Sequence, residues 1–140
     1  MKKIFAIAAI VLLVSLVFAQ MPDREIRQKL SLIKKEIIDM GYTPNWIIIS
    51  GKRPAFYNKL LPNAAKDSYH LKGQAIDIYI FDIDGDYTFT DNDIRLVELA
   101  NSKVERNNPK LMGGFGTYSG KFAKRMIHLD TRGYPKRFKL

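Results

Sequence analysis

Ser68-Tyr69-His70-Leu71-Lys72-Gly73-Gln74-Ala75-Ile76-Asp77-Ile78-Tyr79-Ile80 is the stretch on which the fold turns. From Gln74 to Phe81 the residues alternate weakly. Ala75, Asp77 and Tyr79 share one face and Ile76, Ile78 and Ile80 the other, so a β-strand is predicted. An aspartate within such a strand needs a partner, because burying an unpaired carboxylate is costly. Ala75 is small and leaves room above it. His70 lies seven residues before Asp77, in a loop from Ala64 to Gly73. Gly73 lets the chain turn tightly enough for His70 to fold back over the strand. His128, the second of two histidines, sits between Ile127 and Leu129 in another predicted strand, Met126 to Asp130. Neutral imidazole and carboxylate suit zinc. Three protein ligands with a fourth position left to water describe a catalytic site, in which the water becomes nucleophilic near neutral pH. A packed histidine–aspartate hydrogen bond uses the same residues, and spacing alone does not separate the two.

Working outward, Ile26, Leu30, Ile33 and Ile37 mark one face of an amphipathic helix from Pro22 to Met40, with Gly41 as its stop. Trp46 to Ile49 reads as a short buried strand, broken by Ser50-Gly51-Lys52-Arg53-Pro54. Phe56 to Leu61 reads as a short helix ended by Pro62-Asn63. Ile94, Val97, Leu99 and Ala100 predict a second long helix reaching about Lys103. Gly113 to Gly116 reads as a tight turn leading into a strand at Thr117-Tyr118. Residues 134–140 read as a basic tail. No repeat or linker interrupts the chain, so one α+β domain is expected.

The 140 residues are 46% apolar and 26% charged, which excludes wholesale disorder. The absence of cysteine excludes a disulfide scaffold, a cysteine zinc finger and a thiol nucleophile. Met1-Lys2-Lys3, the apolar run Ile4 to Phe18, and Val17-Phe18-Ala19 before Gln20 have the layout of a secretory signal peptide at residues 1–19. A retained anchor is the alternative, but the run falls short of the roughly 20 residues a spanning helix needs. The mature chain, 20–140, is expected to be secreted, periplasmic or cell-wall associated, monomeric, and without a stable membrane span. The net charge of +9 favours an anionic partner. Lys121, Lys124, Arg125, Arg132, Lys136, Arg137 and Lys139 crowd the C-terminal third, either to attract an anionic cell-wall polymer or simply as a solvated face. Export argues against nucleic acid as the partner.

Asp82-Ile83-Asp84-Gly85-Asp86-Tyr87-Thr88-Phe89-Thr90-Asp91-Asn92-Asp93 resembles a twelve-residue calcium loop of the EF-hand or dockerin kind. Asp82, Asp84, Asp86, Thr90 and Asp93 occupy its oxygen-ligand positions, and Thr88 supplies the backbone carbonyl position. Tyr87 stands where glycine is usual, and Asp93 is shorter than the usual glutamate. Acids this close repel one another unless a cation sits among them. A hairpin turn at Asp84-Gly85 with solvated acids is the alternative.

Ile49-Ser50-Gly51-Lys52-Arg53-Pro54, Asn58, and the run from Ser68 to Ile78 together resemble the peptidase M15 group. These are zinc D-Ala-D-Ala carboxypeptidases and peptidoglycan endopeptidases, similar in fold to the hedgehog signalling domain. Gly113-Gly114-Phe115-Gly116-Thr117-Tyr118 and Ile127-His128-Leu129-Asp130-Thr131-Arg132-Gly133 resemble the closing glycine turn and third-ligand strand of that family. The resemblance spans Trp46 to Gly133. It implies a small antiparallel sheet flanked by helices, zinc on His70, Asp77 and His128, and a peptidoglycan peptide as substrate. It also implies that Arg53 holds the substrate carboxylate or stabilises the oxyanion. Ser68 and Tyr118 are candidate substrate contacts. Many members carry a general base two or three residues before the third ligand. Here those positions are Met126 and Arg125, and Asp130 is the nearest carboxylate. Asp130 shares a strand face with His128, so it either serves as the base, braces a ligand, or pairs with Arg132 or Arg53. A metal-containing binding module without turnover is the rival expectation.

Overall fold

The computed structural model describes residues 21–61 and 64–140, so the expected signal peptide and the Pro62-Asn63 helix stop lie outside it. In chain order the elements are α1 (Arg24–Asp39), β1 (Trp46–Ser50), α2 (Ala55–Leu60), β2 (Ala75–Ile80), α3 (Asp91–Asn107), β3 (Gly114–Thr117), β4 (Met126–Asp130) and β5 (Lys136–Lys139). Short 3-10 turns occupy Pro109–Leu111 and Ala123–Arg125. The protein is a small single-domain α+β fold with a five-stranded mixed sheet and three helices among the described residues.

Strand order is β1-β2-β4-β3-β5. The pairs β1–β2, β2–β4 and β3–β4 are antiparallel, whereas β3–β5 is parallel. The expected all-antiparallel sheet is therefore corrected by one parallel pair. Its fifth strand is Lys136-Arg137-Phe138-Lys139, which the sequence suggested was only a basic tail. Charge on an edge strand hides the strand signal while protecting the edge from unwanted pairing.

The alternation along β2 is as expected. Ile76, Ile78 and Ile80 are fully buried, and they pack with Ile127 and Leu129 of β4, Phe115 of β3, Ile26, Ile33 and Ile37 of α1, and Leu96, Val97, Ala100 and Val104 of α3. The helices thus cover one face of the sheet and leave the opposite face for Asp77 and His128. α3 begins and ends outside its expected bounds. Thr90 caps its N-terminus in a capping box with Asp93, which draws the start back to Asp91.

Two expectations about strands are corrected. β1 was expected to be buried, yet Ile47, Ile48 and Ile49 are 55%, 57% and 42% exposed. Strand order puts β1 at the edge, beyond the cover of the helices. Gly114 to Gly116 form strand β3 rather than a turn. Glycine is needed there because neighbours approach closely: a Cβ at Gly114 would lie 2.5 Å from Asp130 Oδ2, and one at Gly116 would lie 2.5 Å from the Phe138 ring.

Candidate metal centre

Register brings the three expected ligands together. Asp77 of β2 is paired with His128 of β4, and Ser50 of β1 is paired with Asp77 from the other side. His70 reaches them from the loop, which turns back at Gly73 with φ +76°. That loop is tied down by Arg53 N–H donating to the His70 carbonyl at 2.9 Å and Asp23 N–H donating to the Gly73 carbonyl at 2.8 Å. All three side chains are buried, and their ligand atoms lie within 4.8 Å of one another.

Hydrogen bonds on the outer sides of the rings determine what the inner sides offer. His70 Nδ1 lies 2.7 Å from the Gly51 carbonyl, which can only accept, so this nitrogen carries the proton and Nε2 is the free lone pair. His128 Nε2 lies 3.0 Å from the Asp130 carboxylate, which likewise assigns the proton to Nε2 and leaves Nδ1 free. The two free nitrogens face each other at 3.2 Å. Asp77 faces both: Oδ2 is 3.1 Å from His70 Nε2, and Oδ1 is 3.0 Å from His128 Nδ1. Two lone pairs and a carboxylate converging without a donor among them fit a cation, so the buried His70–Asp77–His128 group could hold a metal ion.

Burial by itself lowers the His128 pKa, but hydrogen bonds to Asp130 and Asp77 outweigh it and raise the ring above its ordinary value. Burial by itself raises Asp77, but hydrogen bonds from His128 and His70 hold it well below the usual carboxylate range.

Asp130 is fully buried and saturated with donors. Its oxygens accept from Gly114 N–H at 2.7 Å, from Arg132 N–H at 3.2 Å, from Arg132 Nε and Nη2, and from His128 Nε2. The Arg132 guanidinium is itself held over the rings of Tyr69, Phe138 and Tyr134, 4.6, 5.3 and 5.8 Å from their centroids. Among the readings open for Asp130, this geometry matches the brace for His128 and the pair with Arg132 together. A carboxylate behind a ligating histidine fixes the ring's tautomer and angle.

Arg53 sits beside the group. Its Nη2 donates to Asp77 Oδ2 at 3.4 Å and to Ser50 Oγ at 3.2 Å, and its Nη1 donates to Asn58 Oδ1 at 3.1 Å. Asn58 is anchored in turn by donating to the Ala65 carbonyl at 2.9 Å. Tyr118 donates its hydroxyl to Asp77 Oδ1 at 3.2 Å, and burial together with that carboxylate pushes its pKa up. Ser68 Oγ accepts the His70 N–H at 3.4 Å, shaping the loop. Sequence reasoning assigned no role to Asn58, although it lies in the quoted motif, nor to the aromatic stack that holds Arg132. Tyr134 is two residues from Arg132, whereas Tyr69 and Phe138 reach it from a distant loop and from β5.

The acidic loop is partly as expected. Asp82, Asp84 and Asp86 come together. Asp82 accepts the N–H groups of Gly85 and Tyr87, Asp84 that of Asp86, and Asp86 that of Thr88. Tyr87 has φ +69°, the left-handed conformation for which glycine is usual at this place. Two expected ligands are drawn elsewhere. Both oxygens of Asp93 accept backbone N–H groups, from Ile83 and Thr90, and Thr90 Oγ1 accepts from Asn92. Capping a helix competes with binding an ion for the same lone pairs.

Among the described residues, no helix is long and apolar enough to cross a membrane. Comparison of the chain with protein-family models, with curated proteins and with solved structures finds no match.

Proposed function

We propose that this chain is an exported zinc peptidase of the M15 type, cleaving an amide bond in peptidoglycan peptides. One observation carries this reading: two histidine lone pairs and a carboxylate converge at 3.0–3.2 Å with no donor among them. A tetrahedral ion with bonds of about 2.0 Å has ligand–ligand edges of about 3.3 Å, and mixed nitrogen and oxygen donors suit zinc better than calcium.

When bound, zinc supplies Lewis acidity to the scissile carbonyl and activates water. Arg53 supplies a permanent positive charge to the substrate or transition state from a position fixed by Asn58, Ser50 and Asp77. Tyr118 holds Asp77 in orientation through its hydroxyl. Asp130 keeps the His128 ring angled, and with every oxygen occupied it is withdrawn from service as a base.

That last point favours a second reading, a binding module that keeps its metal without turnover. Arg125, upstream of His128, lies over the Phe89 ring at 4.6 Å, so it faces the acidic loop instead of the site. Metal analysis paired with digestion of purified peptidoglycan, using mature wild type and His128→Ala, separates the readings. The peptidase requires one zinc per chain and released peptides that disappear in the variant. Zinc without product establishes the binding module. A folded protein that takes up no zinc overturns both.

The acidic loop is read as a calcium site built on Asp82, Asp84 and Asp86, supported by the turn hydrogen bonds that aim these carboxylates inward. Calcium should raise the melting temperature of wild type by several degrees and leave Asp84→Asn unmoved. Equal melting curves with and without calcium would remove it from the reading.

A further inference from the structure

Lys29 is fully buried, set among the apolar residues of α1. Charges in a core are expensive, and replacing a buried ion pair as a whole by well-packed apolar residues is often neutral or stabilising. The retention of Lys29 calls for a geometric reason. Lys29 Nζ donates to Glu105 Oε1 of α3 at 2.8 Å and to the Asp130 carbonyl at 2.8 Å. Glu105 Oε1 also accepts the Gly113 N–H at 3.0 Å, and Oε2 takes Arg137 of β5 at 3.2 Å. The next residue, Gly114, donates its N–H to Asp130 Oδ1. One ion pair therefore grips Asp130 twice, once at its carbonyl and once through the Gly113-Gly114 backbone that clamps its carboxylate. That carboxylate in turn sets the angle of the His128 ring.

We propose that the buried Lys29–Glu105 pair is a positioning device for the metal-ligand group, acting from the helical layer through Asp130 on His128. The inference rests on the reading of His70, Asp77 and His128 as a metal centre. Lys29 and Glu105 touch neither metal nor substrate. They hold the backbone from which the brace hangs, and losing an outer partner of a ligating histidine typically costs metal affinity about 10- to 100-fold.

The test compares wild type with Lys29→Met/Glu105→Gln. This pair of changes removes both charges together, keeps an acceptor for the Gly113 N–H, and takes away the donor to the Asp130 carbonyl together with the Arg137 pairing at Glu105 Oε2. Ile37→Val, a core change in the same helix, serves as the stability control. Zinc affinity is measured by chelator competition, and the melting temperature is measured on the metal-free proteins. The expected result is a zinc affinity at least about tenfold weaker in the double variant, with wild-type affinity kept by Ile37→Val at a comparable melting temperature. Should the double variant not fold, Glu105→Gln alone is used, and a loss of about threefold or more supports the proposal. Wild-type affinity in a folded variant overturns it and leaves the pair a packing feature. No zinc uptake by wild type instead overturns the metal-centre reading, and the inference falls with it.

Discussion

Asp130 shows how much a single residue's role depends on its hydrogen bonds. Position alone leaves it as base, brace or ion-pair partner. Five donor groups on two oxygens leave no acceptor capacity for a reacting proton. Burial by itself raises its pKa, but His128, Arg132 and the Gly114 N–H reverse the sign and hold it well below the usual carboxylate range. On the proposed zinc reading, Asp130→Asn should weaken metal binding by about 10- to 100-fold, measured by chelator competition, because His128 loses its charged brace. An unchanged affinity would show that the ring is oriented without it. On the same reading His128→Ala removes a ligand and should abolish binding at the same concentrations.

At the level of elements, β1 and β2 have similar compositions and opposite fates. Each carries three isoleucines, yet those of β2 are fully buried and those of β1 are exposed. Ile78→Ala should cost about 2–5 kcal/mol in denaturant unfolding, and Ile48→Ala, its cross-strand neighbour, less than about 1 kcal/mol. A similar cost at the two positions would mean that β1 is covered in solution by something outside the described residues. The two edges of the sheet also differ in kind. β5 is guarded by Lys136, Arg137 and Lys139, whereas β1 carries no charge along Trp46 to Ser50.

For the molecule as a whole, the site makes stability depend on pH in a defined way. Asp77, Asp130 and Glu105 are all held below their ordinary values of 3.8, 3.8 and 4.5. Each contributes stability that is fully present above its unfolded value and is lost as pH falls toward its folded one. His128 is raised above 6.5, so its contribution is fully present below that value and is lost as pH rises through the folded pKa. The metal-free protein should therefore be most stable between about pH 5 and pH 6.5 and lose stability on both sides. His128→Gln should flatten the alkaline limb of a melting-temperature profile and leave the acid limb in place. Metal binding runs the other way and strengthens with rising pH, because the ring must give up its second proton. An alkaline limb that survives in His128→Gln would assign the effect to another group.

Much of this was legible from local pattern. The two-residue period of β2 and the helical period of α1 named the core correctly, because alternation and amphipathicity are properties of neighbours along the chain. That Asp77 needs a partner was legible too, but local pattern left a packed histidine–aspartate hydrogen bond and a metal site both open, and the ligand set His70, Asp77 and His128 came from the family resemblance. Strand order was not legible. It consigned β1 to the edge and recruited Lys136–Lys139 as a parallel fifth strand. It also brought Phe138 of β5 to Arg132 and joined Lys29 to Asp130, 101 residues away. Such partners are set by long-range pairing. A lysine on a helix face gives no local sign that its charge will be needed on the far side of a sheet.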